Sequence, residues 1–147
     1  MDKNCFVCDR IELIKENKNP YFVKEMKTGY VVIGDYQFYK GYTLFICKEH
    51  KKELHELEPK FRKLFLEEMS EVAEAVYKAF KPNKLNYELL GNTVCHMHWH
   101  LIPRYKDDQK ADTAIWVIDK SVRCSEKVKA TPEQIQEYKK LLLKYLK

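Results

Sequence analysis

No apolar run in this chain is long enough to cross a bilayer, which excludes a helical membrane span. The opening residues, Met1 to Arg10, are polar and carry no apolar stretch of the kind a secretory leader needs. The two absences together predict a cytoplasmic protein with no membrane partner. Blocks of roughly five or six consecutive Lys and Arg residues are also missing, so the net charge of +5 does not mark a nucleic-acid footprint. A mildly basic balance remains compatible with an anionic ligand. The five cysteines are an odd number, which argues against a complete disulfide framework. There is neither an internal repeat nor a low-complexity segment.

What is present is a 147-residue chain with 45% hydrophobic content, enough for one domain with a substantial core and too little for two. Residues 20–33 read as two short strands broken near Thr28 and Gly29, and a turn at Lys40-Gly41 leads into a strand over 42–47. A long helix starts near Pro59, a favoured first-turn residue. Phe61, Leu64, Phe65, Met69, Val72, Ala73, Val76 and Phe80 follow its 3.6-residue period, and Pro82-Asn83 ends it. A strand over 85–90, a loop at Gly91-Asn92-Thr93, a histidine-bearing strand ending at Pro103 and a further strand over 114–118 follow. Thr131-Pro132-Glu133-Gln134 has the form of a capping box that opens a final helix. Strands interrupted by one long helix and closed by another predict an α+β domain with an antiparallel sheet.

Three of the five histidines fall at positions 96, 98 and 100, alternating with Met97, Trp99 and Leu101. In a strand, side chains two residues apart share a face, so the spacing predicts a row of imidazoles on one side and apolar core residues on the other. Imidazole titrates near neutrality and serves as nucleophile, proton shuttle or metal ligand. The preceding loop is small and polar, which leaves backbone amides, the Asn92 amide and the Thr93 hydroxyl available for phosphate oxygens. Beside such a cradle a neutral ring nitrogen suits attack on phosphorus, splitting one difficult step into two through a phosphoramidate. His98, flanked on both sides, is the natural nucleophile.

Cys5 and Cys8 have the spacing of a zinc half-site, which needs two more ligands. His50 and His96 are the leading candidates, with His55 a rival to His50. A bare thiol pair and a redox pair remain alternatives. Cys47 and Cys95, in apolar strand-like surroundings, read as inert core residues. Trp116 reads as core, as a nucleotide-base contact or as a subunit contact, and Arg104 and Tyr105 stand where an anionic ligand could be met.

The stretch His96 through Ile102 resembles the signature of the histidine-triad (HIT) superfamily at every position. Gly91-Asn92-Thr93-Val94 is similar to the loop that precedes that signature, with Asn92 in place of the usual Gln, and Pro103-Arg104 also recurs after it. The resemblance runs from Cys5 to about Tyr105. It implies the HIT fold over residues 1–147, with the histidine motif at 96–102 and a C-terminal extension from about 106. It also implies hydrolysis or transfer of a nucleotidyl group at the α-phosphate through a nucleotidylated His98. His100 is then expected to bind a phosphate oxygen, and Asn92 and Thr93 to contact phosphate or leaving group.

The resemblance further implies structural zinc held by Cys5, Cys8, His50 and His96, and a homodimer. Where family members often carry an additional histidine, this chain has Tyr42. The common ribose-binding position aligns with Gly34, beside which Asp35 is the candidate for the ribose hydroxyls. The expected function is a hydrolase of dinucleoside polyphosphates or nucleoside phosphoramidates that releases a nucleoside monophosphate. The rivals are a nucleotidyl transferase and a zinc-stabilised nucleotide-binding adaptor without turnover.

Overall fold

A computed structural model describes residues 4–147. The antiparallel sheet that the sequence predicts is present, with five strands in the order β1-β2-β3-β5-β4: β1 (Phe22–Glu25), β2 (Gly29–Ile33), β3 (Thr43–Cys47), β4 (Lys84–Glu88) and β5 (His98–Arg104). All five residues of β2 are buried, because both faces of the sheet are covered at its centre. Along β3, Phe45 and Cys47 face one way and Leu44 and Ile46 the other. This is the two-residue alternation expected of a pleated strand.

The long helix α2 (Pro59–Phe80) and the C-terminal helix α4 (Pro132–Tyr145) cover the first face. The stripe of Phe65, Val72, Ala73, Val76 and Phe80 on α2 meets Val31, Ile33, Phe45 and Leu101 of the sheet. Phe65 stacks on Phe45 at 5.4 Å between centroids, and Phe80 meets Tyr138 of α4 edge-on at 5.1 Å. Burying a phenylalanine of this kind stabilises the fold by roughly 2–3 kcal/mol. Glu58 caps α2 by accepting from the amides of Lys60 and Phe61, each at 3.1 Å, which lowers the pKa of its carboxyl. The capping box of Thr131 and Gln134 is present and opens α4.

A short helix near the start, α1 (Phe6–Lys15), lies against the second face. Val7, Cys8, Ile11 and Ile14 form its buried side and pack on Tyr30, Val32 and Ile46. Because α1 covers only part of this face, a cleft opens beside it. Met97 and Leu101 are buried on the α2 side, and Trp99 packs against the same core, as the alternation predicts.

Three expectations need correction. Residues 115–117 form a 3₁₀ turn rather than a strand over 114–118, with Ile115 and Ile118 buried at a spacing of three. β5 begins at His98, so His96 is not part of a strand-borne row of three; the backbone of Met97 instead bonds to both Cys47 and Lys51. Cys95 is half-buried, not a core residue, while burial pushes the Cys47 thiol up to about 11. A four-residue helix, α3 (Lys120–Arg123), follows the 3₁₀ turn.

Candidate active site

His98 and His100 stand side by side on the α1 face of β5, with ring centroids 4.8 Å apart. Across the sheet they pair with Ile46 and Leu44 of β3. Both line a cleft of about 610 Å³, an ample size for a small-molecule ligand. Its remaining walls come from α1, the loop at 34–42, the loop at 90–94 and the segment that holds Trp116 and α3.

Hydrogen bonds fix which nitrogen each histidine presents. His98 donates from Nδ1 to the carbonyl oxygen of its own neighbour His96 at 2.7 Å, so in the neutral ring the lone pair is on Nε2. His100 is the reverse case. Its Nδ1 is hydrogen-bonded to the hydroxyl of Tyr42. Burial raises the pKa of that phenol, so the hydroxyl keeps its proton and is able to donate it to Nδ1. Burial, followed by the charge of His98, pushes His100 down to about 4. A neutral His100 that accepts at Nδ1 carries its proton on Nε2. One ring therefore offers a lone pair and its neighbour an N–H.

Asn92 and Thr93 are exposed at the mouth of the cleft. Among the described residues neither side chain has a hydrogen-bond partner. Gly91, at φ 91°, makes the turn that brings them there, a backbone conformation that a side chain disfavours. Asp35 lines the cleft too, but its carboxylate is gripped by Arg10 of α1, Nη1 to Oδ1 at 3.0 Å and Nη2 to Oδ2 at 2.5 Å. Trp116 meets His100 edge-on at 5.7 Å and donates from Nε1 to Glu88 at 2.7 Å. The Arg123 guanidinium lies over its ring at 4.9 Å. Of the three readings open for Trp116, the structure places it on the cleft wall.

Sequence reasoning missed Arg10, Lys120 and Arg123, because nothing local ties them to the histidines. Arg104, by contrast, is buried away from the cleft. It bonds to Asp108 at 2.9 Å and to the carbonyl oxygens of Thr113 and Lys110, and it lies over the Tyr39 ring. The Tyr105 hydroxyl donates to the Lys40 carbonyl at 2.8 Å. Both residues therefore hold loops, which corrects the expectation that they meet a ligand.

Behind the cleft, Cys5, Cys8, His50 and His96 converge, with one donor atom from each lying within 4.8 Å of all the others. Cys5 caps α1, and the first helical turn brings Cys8 back beside it, its amide donating to Cys5 Sγ at 3.4 Å. His96 Nδ1 is 3.7 Å from Cys5 Sγ, 3.5 Å from Cys8 Sγ and 3.2 Å from His50 Nδ1, which is itself 3.4 Å from Cys8 Sγ. In a tetrahedral site with metal–sulfur bonds near 2.3 Å and metal–nitrogen bonds near 2.0 Å, neighbouring donors stand roughly 3.3–3.8 Å apart.

The donor set fits zinc in chemistry as well as spacing. His96 donates from Nε2 to the Cys47 carbonyl at 2.7 Å, which leaves the Nδ1 lone pair aimed into the cluster. Lone pairs converging on one point repel unless a cation lies between them. Burial also lowers the pKa of His96, which favours the neutral, ligating ring. His55 is exposed on a 3₁₀ turn outside the cluster.

Residues 17–107 match the model of the HIT domain family, and the chain belongs to that family. Membership supports a nucleotide-binding role of hydrolase or transferase type. Among curated relatives, "Protein hit" of Bacillus subtilis (strain 168) is 35% identical over 74 residues, which are 47% of this chain. The matched stretch spans about half, 51%, of that relative. A histidine triad protein from Bradyrhizobium japonicum shares the fold with a TM-score of 0.75 at 20% identity, over 91% of this chain and 94% of its own. A Zn-bound histidine triad family protein from Mycobacterium smegmatis does so with a TM-score of 0.67 at 19% identity, over 96% and 94% of the two chains.

Proposed function

We propose that the protein hydrolyses nucleotides at the α-phosphorus through a covalent intermediate on His98. The observation that carries this reading is the pair of rings in the cleft: His98, whose bond from Nδ1 to the His96 carbonyl puts a lone pair on Nε2, beside His100, whose Nδ1 meets the Tyr42 hydroxyl. The nucleotide base and ribose occupy the apolar wall of Val32, Leu44 and Ile46, with the Asp35–Arg10 pair at the ribose hydroxyls. Asn92, Thr93 and the Nε2–H of His100 hold the α-phosphate oxygens. His98 Nε2 attacks phosphorus, and the bond to the leaving group breaks with its electron pair going to that group. Water then attacks the same phosphorus and gives up a proton to solvent, the phosphorus–nitrogen bond breaks with its electron pair returning to His98 Nε2, and a nucleoside monophosphate departs. Donors fixed in a half-dry cleft stabilise the charge that develops without reorganising during the step.

Cys5, Cys8, His50 and His96 would hold a structural zinc. Four protein ligands close a tetrahedral ion to water, so its contribution is to fasten α1 to the segment that enters β5. The Zn-bound relative from Mycobacterium smegmatis supports this assignment. A homodimer fits an edge strand, β4, that carries exposed Tyr87 and ends near exposed Leu90.

The test is mass spectrometry of protein quenched during turnover of a nucleoside phosphoramidate and of diadenosine tetraphosphate. A nucleotidyl adduct on a peptide containing His98, absent in His98→Ala, supports the reading. Turnover that survives in His98→Ala, or tight binding without turnover in either protein, refutes it.

A further inference from the structure

Cations from two helices line the cleft. Arg10 on α1 is neutralised by Asp35. Lys120 and Arg123, contributed by α3, also line the cleft, and among the described residues neither forms an ion pair. Of the nearby carboxylates, Asp119 accepts from the amide and hydroxyl of Ser121 and also feels the charge of Arg123, and Glu88 accepts from Trp116. Arg123 is held in place, donating from Nε to the Ile118 carbonyl at 2.8 Å and lying over the same Trp116 ring that meets His100. The segment follows residues 17–107, the span matched by the family model.

We infer that Lys120 and Arg123 form a subsite for the anionic leaving group, and that the preferred substrates are nucleotides whose α-phosphorus is joined to a further phosphate chain. The inference rests on the reading of His98 as nucleophile and names the substrate class for it. When the bond between the α-phosphorus and its bridging oxygen breaks, the electron pair stays on that oxygen. A phosphate chain then leaves as an anion that needs no proton. Two cations beside the departing oxygens stabilise that charge as it grows. A leaving amine gains nothing from them, because it must depart with a proton and without negative charge.

The experiment compares diadenosine tetraphosphate with an adenosine phosphoramidate that has an uncharged amine, so that both present the same α-phosphate. The ratio of kcat/KM values, tetraphosphate over phosphoramidate, is measured for the unmodified protein and for Lys120→Ala combined with Arg123→Ala. A charge-assisted contact contributes about tenfold, so the ratio is expected to fall about a hundredfold, and Arg123→Lys is expected to keep most of it. An unmoved ratio overturns the inference, whether both activities persist or both fall together through damage to the fold. Binding of inorganic tripolyphosphate by calorimetry decides separately, using His98→Asn protein with and without the paired substitutions. Weakening of at least tenfold supports the subsite; equal binding overturns it. Should the unmodified protein turn over neither substrate, the nucleophile reading fails alone and the calorimetry still judges the subsite.

Discussion

Replacing Tyr42 with phenylalanine removes one oxygen and tests whether the proton on His100 is placed by design. The hydroxyl is the partner of His100 Nδ1, and the ring stays packed against His100 at 5.9 Å between centroids. A hydrogen bond of this neutral type contributes about 1–1.5 kcal/mol, which biases the two ring tautomers by roughly five- to tenfold. Without it, the tautomer with its proton on Nδ1 competes, and Nε2 no longer offers an N–H to the phosphate. Because that contact tightens as charge develops on phosphorus, kcat is expected to fall about tenfold while KM changes by less than about threefold. The unfolding midpoint should drop by only about 2–4 °C, the shift that 1 kcal/mol produces in a protein of this size. Nitrogen-15 NMR of the His100 ring supplies a readout that loose packing would not move. The acceptor signature at Nδ1 is present in the unmodified protein and lost in Tyr42→Phe. A kcat within twofold of the unmodified protein, or an unchanged nitrogen spectrum, refutes the reasoning.

Zinc should be found at one ion per chain by elemental analysis. Strong chelator, or Cys8→Ser, should lower stability by about 4 kcal/mol relative to protein in free zinc at a thousandfold excess over its dissociation constant; an unshifted denaturation curve contradicts a metal fastening. The depressed pKa of His100 gives a sign to the pH dependence. Between about 6.5 and about 4 the unfolded ring binds a proton that the native ring refuses, so stability falls on acidification through that window, by up to about 3 kcal/mol. His100→Gln should flatten that part of the urea-denaturation profile, and identical profiles would argue against a neutral buried ring. Gly41 has φ 91°, and an added Cβ would stand 2.5 Å from the Phe80 ring. Gly41→Ala is expected to destabilise by about 2–4 kcal/mol in urea, against a change under about 0.5 kcal/mol if the turn can shift freely.

The architecture was legible where periodicity was strong. The apolar stripe from Phe61 to Phe80 located α2, and the capping box at Thr131 located α4, because both signals are local. The alternation of His98, Trp99 and His100 correctly separated cleft from core. It failed at His96, where the chain leaves the ladder so that one imidazole can turn toward Cys5 and Cys8. Residues 114–118 read as a strand. Packing of Ile115 with Tyr39 and Ile102, and burial of Ile118 three residues on, made a tighter turn the better solution. The stripe of Val7, Ile11 and Ile14 is the signal in the sequence that marks α1. Arg10, Lys120 and Arg123 join the cleft only through tertiary packing, and no local pattern announces such residues.

His96 belongs to two machines at once. Its ring faces the cysteines, while its main-chain oxygen steadies the neighbour that would carry the nucleotide. Side-chain mutagenesis at this residue would keep the oxygen, since any amino acid supplies one, but would remove a ligand. An ion lost from the cluster would loosen that oxygen as well, so the two duties stay joined through the backbone.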